Sequence, residues 1–129
     1  MDKITLDEIL LKHKKWLRNE EGGEHADLRN ADLSYADLRG SDLRYSDLRY
    51  ADLRYADIDY SVWPLWCGAQ NVKVDERILY QLLAHICVLD CDSDSYKKIR
   101  KYLLPYARKS HRAKELGLIC HGHTSPGQA

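Results

Sequence analysis

The chain has 129 residues, 44% of them apolar and 31% charged, with three Pro and seven Gly. That is one domain's worth of protein, with too much apolar content for a disordered chain. Twenty Lys and Arg balance twenty Asp and Glu, which argues against a strong non-specific nucleic-acid binder and against a uniformly acidic nucleic-acid mimic. No uncharged run approaches the roughly twenty residues of a membrane helix. Met1-Asp2-Lys3-Ile4-Thr5 does not read as a signal peptide, and four Cys are too few for a disulfide scaffold of this length. A cytoplasmic protein with reduced thiols is expected. Its charge is uneven: net −1 over 1–25, −3 over 26–60 and +4 over 61–129.

Thr5-Leu6-Asp7-Glu8 has the form of a capping box, with Ile4 and Ile9 placed as a hydrophobic staple. Ile9, Leu10, His13, Trp16 and Leu17 recur at helical spacing. The spacing predicts a helix running to about Arg18 and stopped by Glu21-Gly22-Gly23. Residues 1–25 are thus a helix and linker, expected to cap the segment that begins at Ala26.

From Ala26 to Tyr60 the chain reads ADLRN, ADLSY, ADLRG, SDLRY, SDLRY, ADLRY, ADIDY, seven pentapeptides without a gap. The first position is Ala or Ser, the second Asp and the third Leu or Ile. On an α-helix five residues turn through about 500°, so successive Leu would rotate by about 140° and leave no apolar face. On a continuous strand an odd period sends successive Leu to opposite faces. Every Leu is buried only if the chain bends once per unit. Four bends of about 90° close a coil, and coils stack at about 4.8 Å. Only Ala or Ser fits beside Leu in so narrow an interior.

The stretch resembles the pentapeptide-repeat proteins, and the resemblance implies a right-handed quadrilateral β-helix in which residues twenty apart stack. Ser61-Val62-Trp63-Pro64-Leu65 would be a degenerate eighth unit, giving about two coils over 26–65, with Ser61 over Ser41 and Trp63 closing the column begun by Leu43. Asp27 should lie over Asp47, Asp32 over Asp52, Arg29 over Arg49 and Tyr35 over Tyr55. The second, fourth and fifth positions should face solvent. One reading makes them a self-neutralising surface. The other makes Tyr45, Tyr50, Tyr55 and Tyr60, with Arg44, Arg49, Arg54, Asp47 and Asp52, a partner-binding surface, since Tyr and Arg are enriched at interface hot spots.

Trp63-Pro64-Leu65-Trp66-Cys67-Gly68 should form a lid over the last coil. Asp75 should cap a helix with Ile78, Leu79, Leu82, Leu83, Ile86 and Cys87 on one face. A second helix starts near Ser93 and Asp94, is kinked or restarted by Pro105, and continues to about Leu116, so that 66–116 forms a helical region. Residues 117–129 read as a flexible tail. The WPLWCG segment and the helix after it are also similar to the C-terminal part of small pentapeptide-repeat proteins carried by phages and prophages.

No phosphate-binding loop, HExxH or nucleic-acid motif is present, and no catalytic residue, cofactor or metal is expected. Cys87 and Cys91 with Cys120, His121 and His123 have zinc-like residue types. However, Cys87 falls on an apolar stripe, where such a residue usually packs. Lys97, Lys98, Arg100, Lys101, Arg108, Lys109, Arg112 and Lys114 form either a solvated helix face, an anion or nucleic-acid patch, or a surface complementary to the acidic repeat of a second subunit. The resemblance implies a non-enzymatic interaction protein whose partner is a host nucleic-acid enzyme or defence complex, such as a CRISPR effector, restriction enzyme or topoisomerase. Direct nucleic-acid binding through the basic helices is the alternative and a small zinc-dependent protein the third. The apolar set Trp63, Leu65, Trp66, Leu79 and Leu83 predicts a homodimer.

Overall fold

Asp2, not Thr5, starts the first helix in the computed structural model, which describes residues 1–119. Its carboxylate accepts the Thr5 amide at 2.8 Å and the Thr5 hydroxyl at 3.0 Å. An Asp cap is as favourable as a Thr cap and adds most of a helical turn here, so α1 spans Lys3–Leu17. Leu6 and His13, seven residues apart on one face, are its buried side chains. Ile4 stays exposed, so the expected staple does not form. Past the helix end the chain crosses back over α1 at Gly23, where a Cβ would lie 2.4 Å from the Trp16 backbone nitrogen. Only glycine permits that approach.

The repeat stacks with a period of twenty. Parallel bridges join Asp27 to Asp47, Asp32 to Asp52, Asp37 to Asp57 and Asp42 to Val62. The third-position N–H of each first-layer unit donates to a second-position carbonyl one layer on, as Leu28 does to Asp47 at 2.8 Å and Leu33 to Asp52 at 2.9 Å. Within each unit the Leu carbonyl accepts the N–H three residues on, at 2.9–3.1 Å, closing a turn. Leu28, Leu33, Leu38, Leu43, Leu48 and Leu53 fill the interior and are essentially inaccessible. Where Ser replaces Ala at the first position, the hydroxyl is satisfied by the same carbonyl, as Ser46 Oγ is by Leu43 at 2.6 Å.

The expected right-handed quadrilateral β-helix is corrected. Among the described residues there is no strand and no sheet, and the regular elements are three α-helices. Pairing across the repeat is confined to isolated bridges because a strand needs several consecutive extended residues. Each unit here commits most of its five residues to a turn and leaves one in the bridge.

The stack extends beyond Leu65. Leu48 N–H donates to Gly68 and Leu53 N–H to Lys73, a spacing of twenty where the regular layers use nineteen. One extra residue is therefore accommodated between Val62 and Gly68. Residues 66–75, grouped with the helical region from sequence, form part of the first compact unit, Met1–Asp75. Gly68 is required there, since a Cβ would meet the Ser46 carbonyl at 2.6 Å. Leu65 is 97% exposed, so it is no lid. Trp63 is half-buried and bonds its own Ser61 hydroxyl at 3.1 Å.

The second unit begins at Glu76. Helix α2 spans Glu76–Cys87 and α3 spans Asp94–Ala107, capped by Ser93, whose hydroxyl accepts the Tyr96 amide at 3.0 Å. Ala84, Cys87, Ala107, Ala113 and Leu118 make its core, with Leu83, Leu103 and Leu104 packed against them. Tyr96 donates its hydroxyl to the Ile86 and Leu89 carbonyls, and Arg100 Nε donates to Cys87, satisfying acceptors at the end of α2. Pro105 sits inside the last turn of α3 without restarting a helix. The continuation expected from Pro105 to about Leu116 is instead a run of turns, closed by Leu118 N–H on Ala113 after Gly117 at φ 74°.

Candidate interaction surface

The fifth position of every unit lies at a corner in the left-handed region: Asn30, Tyr35, Gly40, Tyr45, Tyr50, Tyr55 and Tyr60 have φ between 59° and 67°. A turn of this kind needs positive φ at its third residue, and glycine or asparagine adopts that readily. Five tyrosines adopt it here, and they are 59–77% exposed. Tyr35 and Tyr55 stack one layer apart, with ring centroids 5.1 Å apart at an interplanar angle of 19°. Tyr35 therefore joins the four sequence-predicted tyrosines. Its signal was present in its fifth-position register.

The second and fourth positions act as a pair within each unit. Asp27, Asp37, Asp42, Asp47 and Asp52 each accept the backbone N–H two residues on at 3.1–3.2 Å. Each also accepts a fork from the arginine at that position, Nε at 2.8–2.9 Å and Nη2 at 2.7–2.9 Å. Planar guanidinium and carboxylate suit this two-point geometry. The arginine bonds hold Asp27 and Asp52 at about 2. They lower Asp37, Asp42 and Asp47 in the same direction and raise the arginines. Arg44, Arg49 and Arg54 thus stand as charge-paired side chains, each next in sequence to a corner tyrosine. Asp47 is buried between two arginines, Arg49 at 2.7 Å and Arg29 at 3.8 Å.

A second aromatic group flanks Ser46. Trp66 donates its indole N–H to the Ser46 carbonyl at 3.1 Å, and the Arg49 guanidinium lies 5.7 Å over its ring. In the same unit Trp16 of α1 meets the rings of His25 at 4.8 Å and Tyr45 at 6.3 Å. From the sequence, Trp16 belongs to a helix expected to cap the repeat, with partner binding as the alternative.

Residues 24–59 match the family model for pentapeptide repeats, in eight copies. That segment is a run of pentapeptide repeats. No curated protein and no solved structure matches it. Pentapeptide repeats make protein-interaction modules in general, and the exposed corners are where this one has side chains to offer.

The remaining candidates are placed outside that surface. In the second unit Arg100 and Arg108 bond backbone carbonyls, Arg112 pairs with Glu115 at 2.8 Å, Lys97 pairs with Asp92 at 3.4 Å, and Lys109 lies over the Tyr80 and Tyr106 rings. Much of the basic cluster therefore serves its own unit. Cys87 is buried, which pushes its thiol up, while the exposed Cys91 is lowered by a bond with Ser93. Among the described residues no group of three or more His, Cys, Asp or Glu could hold a metal. Cys120, His121 and His123 lie outside the described residues. Among those described, no helix is long and apolar enough to cross a membrane.

Proposed function

We propose that the pentapeptide-repeat coil is a non-enzymatic protein-interaction module. Its contact set is Tyr35, Tyr45, Tyr50, Tyr55 and Tyr60 with Arg44, Arg49, Arg54, Asp47 and Asp52. The observation that carries this reading is the backbone conformation of the tyrosines. Asn30 and Gly40 fill the same corner at less conformational cost, yet five corners hold a large exposed aromatic ring at positive φ. Disfavoured geometry that solubility and folding do not require points to use of the side chain itself. The guanidinium forks beside the rings reduce the ordering that binding would otherwise demand.

The narrower reading, a phage-type cytoplasmic protein acting on a host nucleic-acid enzyme or defence complex, is supported by the sequence likeness alone. A homodimer is supported by Leu65, Trp66 and Leu79, all exposed. Leu83 packs against the core of the second unit, and Trp63 is half-buried, so neither offers a free apolar side chain for it.

A photo-crosslinking residue in place of Tyr50 tests the module. In bacterial lysate it is expected to capture a discrete protein, and capture is expected to disappear with Arg49→Ala. Failure to capture from any tyrosine corner would overturn the reading. So would the same set of proteins captured from Tyr102 in the other unit.

A further inference from the structure

We propose that His13 is a pH-operated latch, in which the neutral imidazole pins α1 to the first layer of the repeat coil and protonation in mild acid releases the helix. The first layer has no preceding layer to pair with. In the second layer the Arg49 and Arg54 carbonyls accept N–H groups from Asn30 and Tyr35. The corresponding Arg44 carbonyl in the first layer instead lies 2.7 Å from His13 Nε2. Ala26, the first residue of the repeat, has no repeat unit before it to close a turn, and its N–H donates to His13 Nδ1 at 3.0 Å. The Met1 amine bonds the Asp32 carbonyl at 2.8 Å on the same layer.

These two bonds fix the chemistry. Nδ1 accepts an amide proton, so it must keep its lone pair, and Nε2 must carry the hydrogen that Arg44 accepts. A second ring proton would set N–H against the Ala26 N–H. The side chain is fully buried, so water cannot take over either partner. From α1, Trp16 stacks on the ring at 5.7 Å, and the Lys12–Glu24 pair joins the helix to the linker. From the linker His25 presents its ring edge-on at 5.7 Å, and from the coil come Asp42 and Arg44, already paired with each other. Burial first, then the His25 and Arg44 charges, move His13 below its ordinary 6.5. The Arg44 carbonyl and Asp42 act the other way.

The sign comes from linkage. A released His13 takes up a proton below 6.5 while the docked one resists it. Docking is therefore complete above 6.5 and is lost as pH falls through the docked value. Asp27 and Asp52, held at about 2, keep their charge throughout that interval. Release leaves edge groups of the first layer unpaired, the kind of edge on which another chain can pair.

Imidazole nitrogen spectra and amide exchange on the full chain, from pH 7.5 to 5, test the latch. His13 is expected as the Nε2–H tautomer at pH 7.5. Exchange protection over 3–17 is expected to fall below pH 6.5, approaching tenfold per pH unit for one coupled proton. Leu48 and Leu53 amides should keep theirs. His13→Gln should abolish the slope and His25→Gln should retain it. Flat protection of α1, or an unchanged slope in His13→Gln, would overturn the proposal. If His13→Gln does not fold, the unsubstituted chain decides: opening of α1 without coincident His13 protonation overturns the latch, and coincidence of the two supports it.

Discussion

A non-glycine residue in the left-handed region gives up about 1–2 kcal/mol against the right-handed one. Tyr50 accepts that penalty at φ 62° with its ring in solvent. Tyr50→Asn is therefore expected to stabilise the protein by about 0.5–1 kcal/mol, because asparagine tolerates the same φ, while weakening capture of a partner. Urea denaturation and crosslinking on the same variant separate the two effects; a loss of stability would show that the ring packs structurally. The aspartates give a pH dependence at this scale. Asp27 and Asp52 sit at about 2 in the folded chain against an ordinary 3.8. Above 3.8 both states are ionised and the contribution is complete. Between 3.8 and about 2 the unfolded chain takes up protons first, so stability falls with pH. Thermal melts at successive pH values through that interval should show the decline, reduced in Asp52→Asn.

At the scale of the element, the repeat is held by a single file of leucines. Leu48 is fully buried, with layers on both sides. Leu48→Ala is expected to cost about 2–5 kcal/mol, since the rigid turns around it cannot collapse into the cavity. Leu65→Ala should cost little, and equal losses in denaturant midpoints would contradict the assignment of interior and exterior. The buried leucines were legible because a five-residue period must bury the third position of each unit, and the twenty-residue stacking because the resemblance to pentapeptide-repeat proteins implies it. The backbone sign at the corners was not, since tyrosine carries no preference for positive φ. The available signal was Asn30 and Gly40 in the same register as the tyrosines. The Asp–Arg forks were hidden for a different reason. Stacking arguments compare residues twenty apart, while each fork closes within two residues. The role of His13 was invisible because helical spacing marks it as part of an apolar face and says nothing of the Ala26 and Arg44 backbone groups it meets.

For the whole molecule, the proposed homodimer can be tested through its exposed apolar residues and its charge division. Leu65 is almost wholly in solvent, Trp66 is 47% exposed and Leu79 is 42% exposed. Leu65 and Trp66 adjoin in the first unit and Leu79 belongs to the second, and each is the kind of apolar side chain that an interface covers. The repeat carries net −3 over 26–60 and the chain after it +4. A two-fold arrangement would use each surface twice, the repeat of one copy against the basic segment of the other. The expected species at micromolar concentration is twice the 15.0 kDa chain mass, measured by sedimentation velocity. Leu65→Ser with Leu79→Ser should return it to the single-chain mass without changing α1 or the repeat, because neither side chain fills the leucine file. Added salt should weaken association in the unsubstituted chain, as screening shortens the reach of the charge pairing. A 15.0 kDa species at every concentration, indifferent to both the substitutions and salt, would show that these residues face solvent in the working protein. The tyrosine corners would then be the one surface left to explain the module.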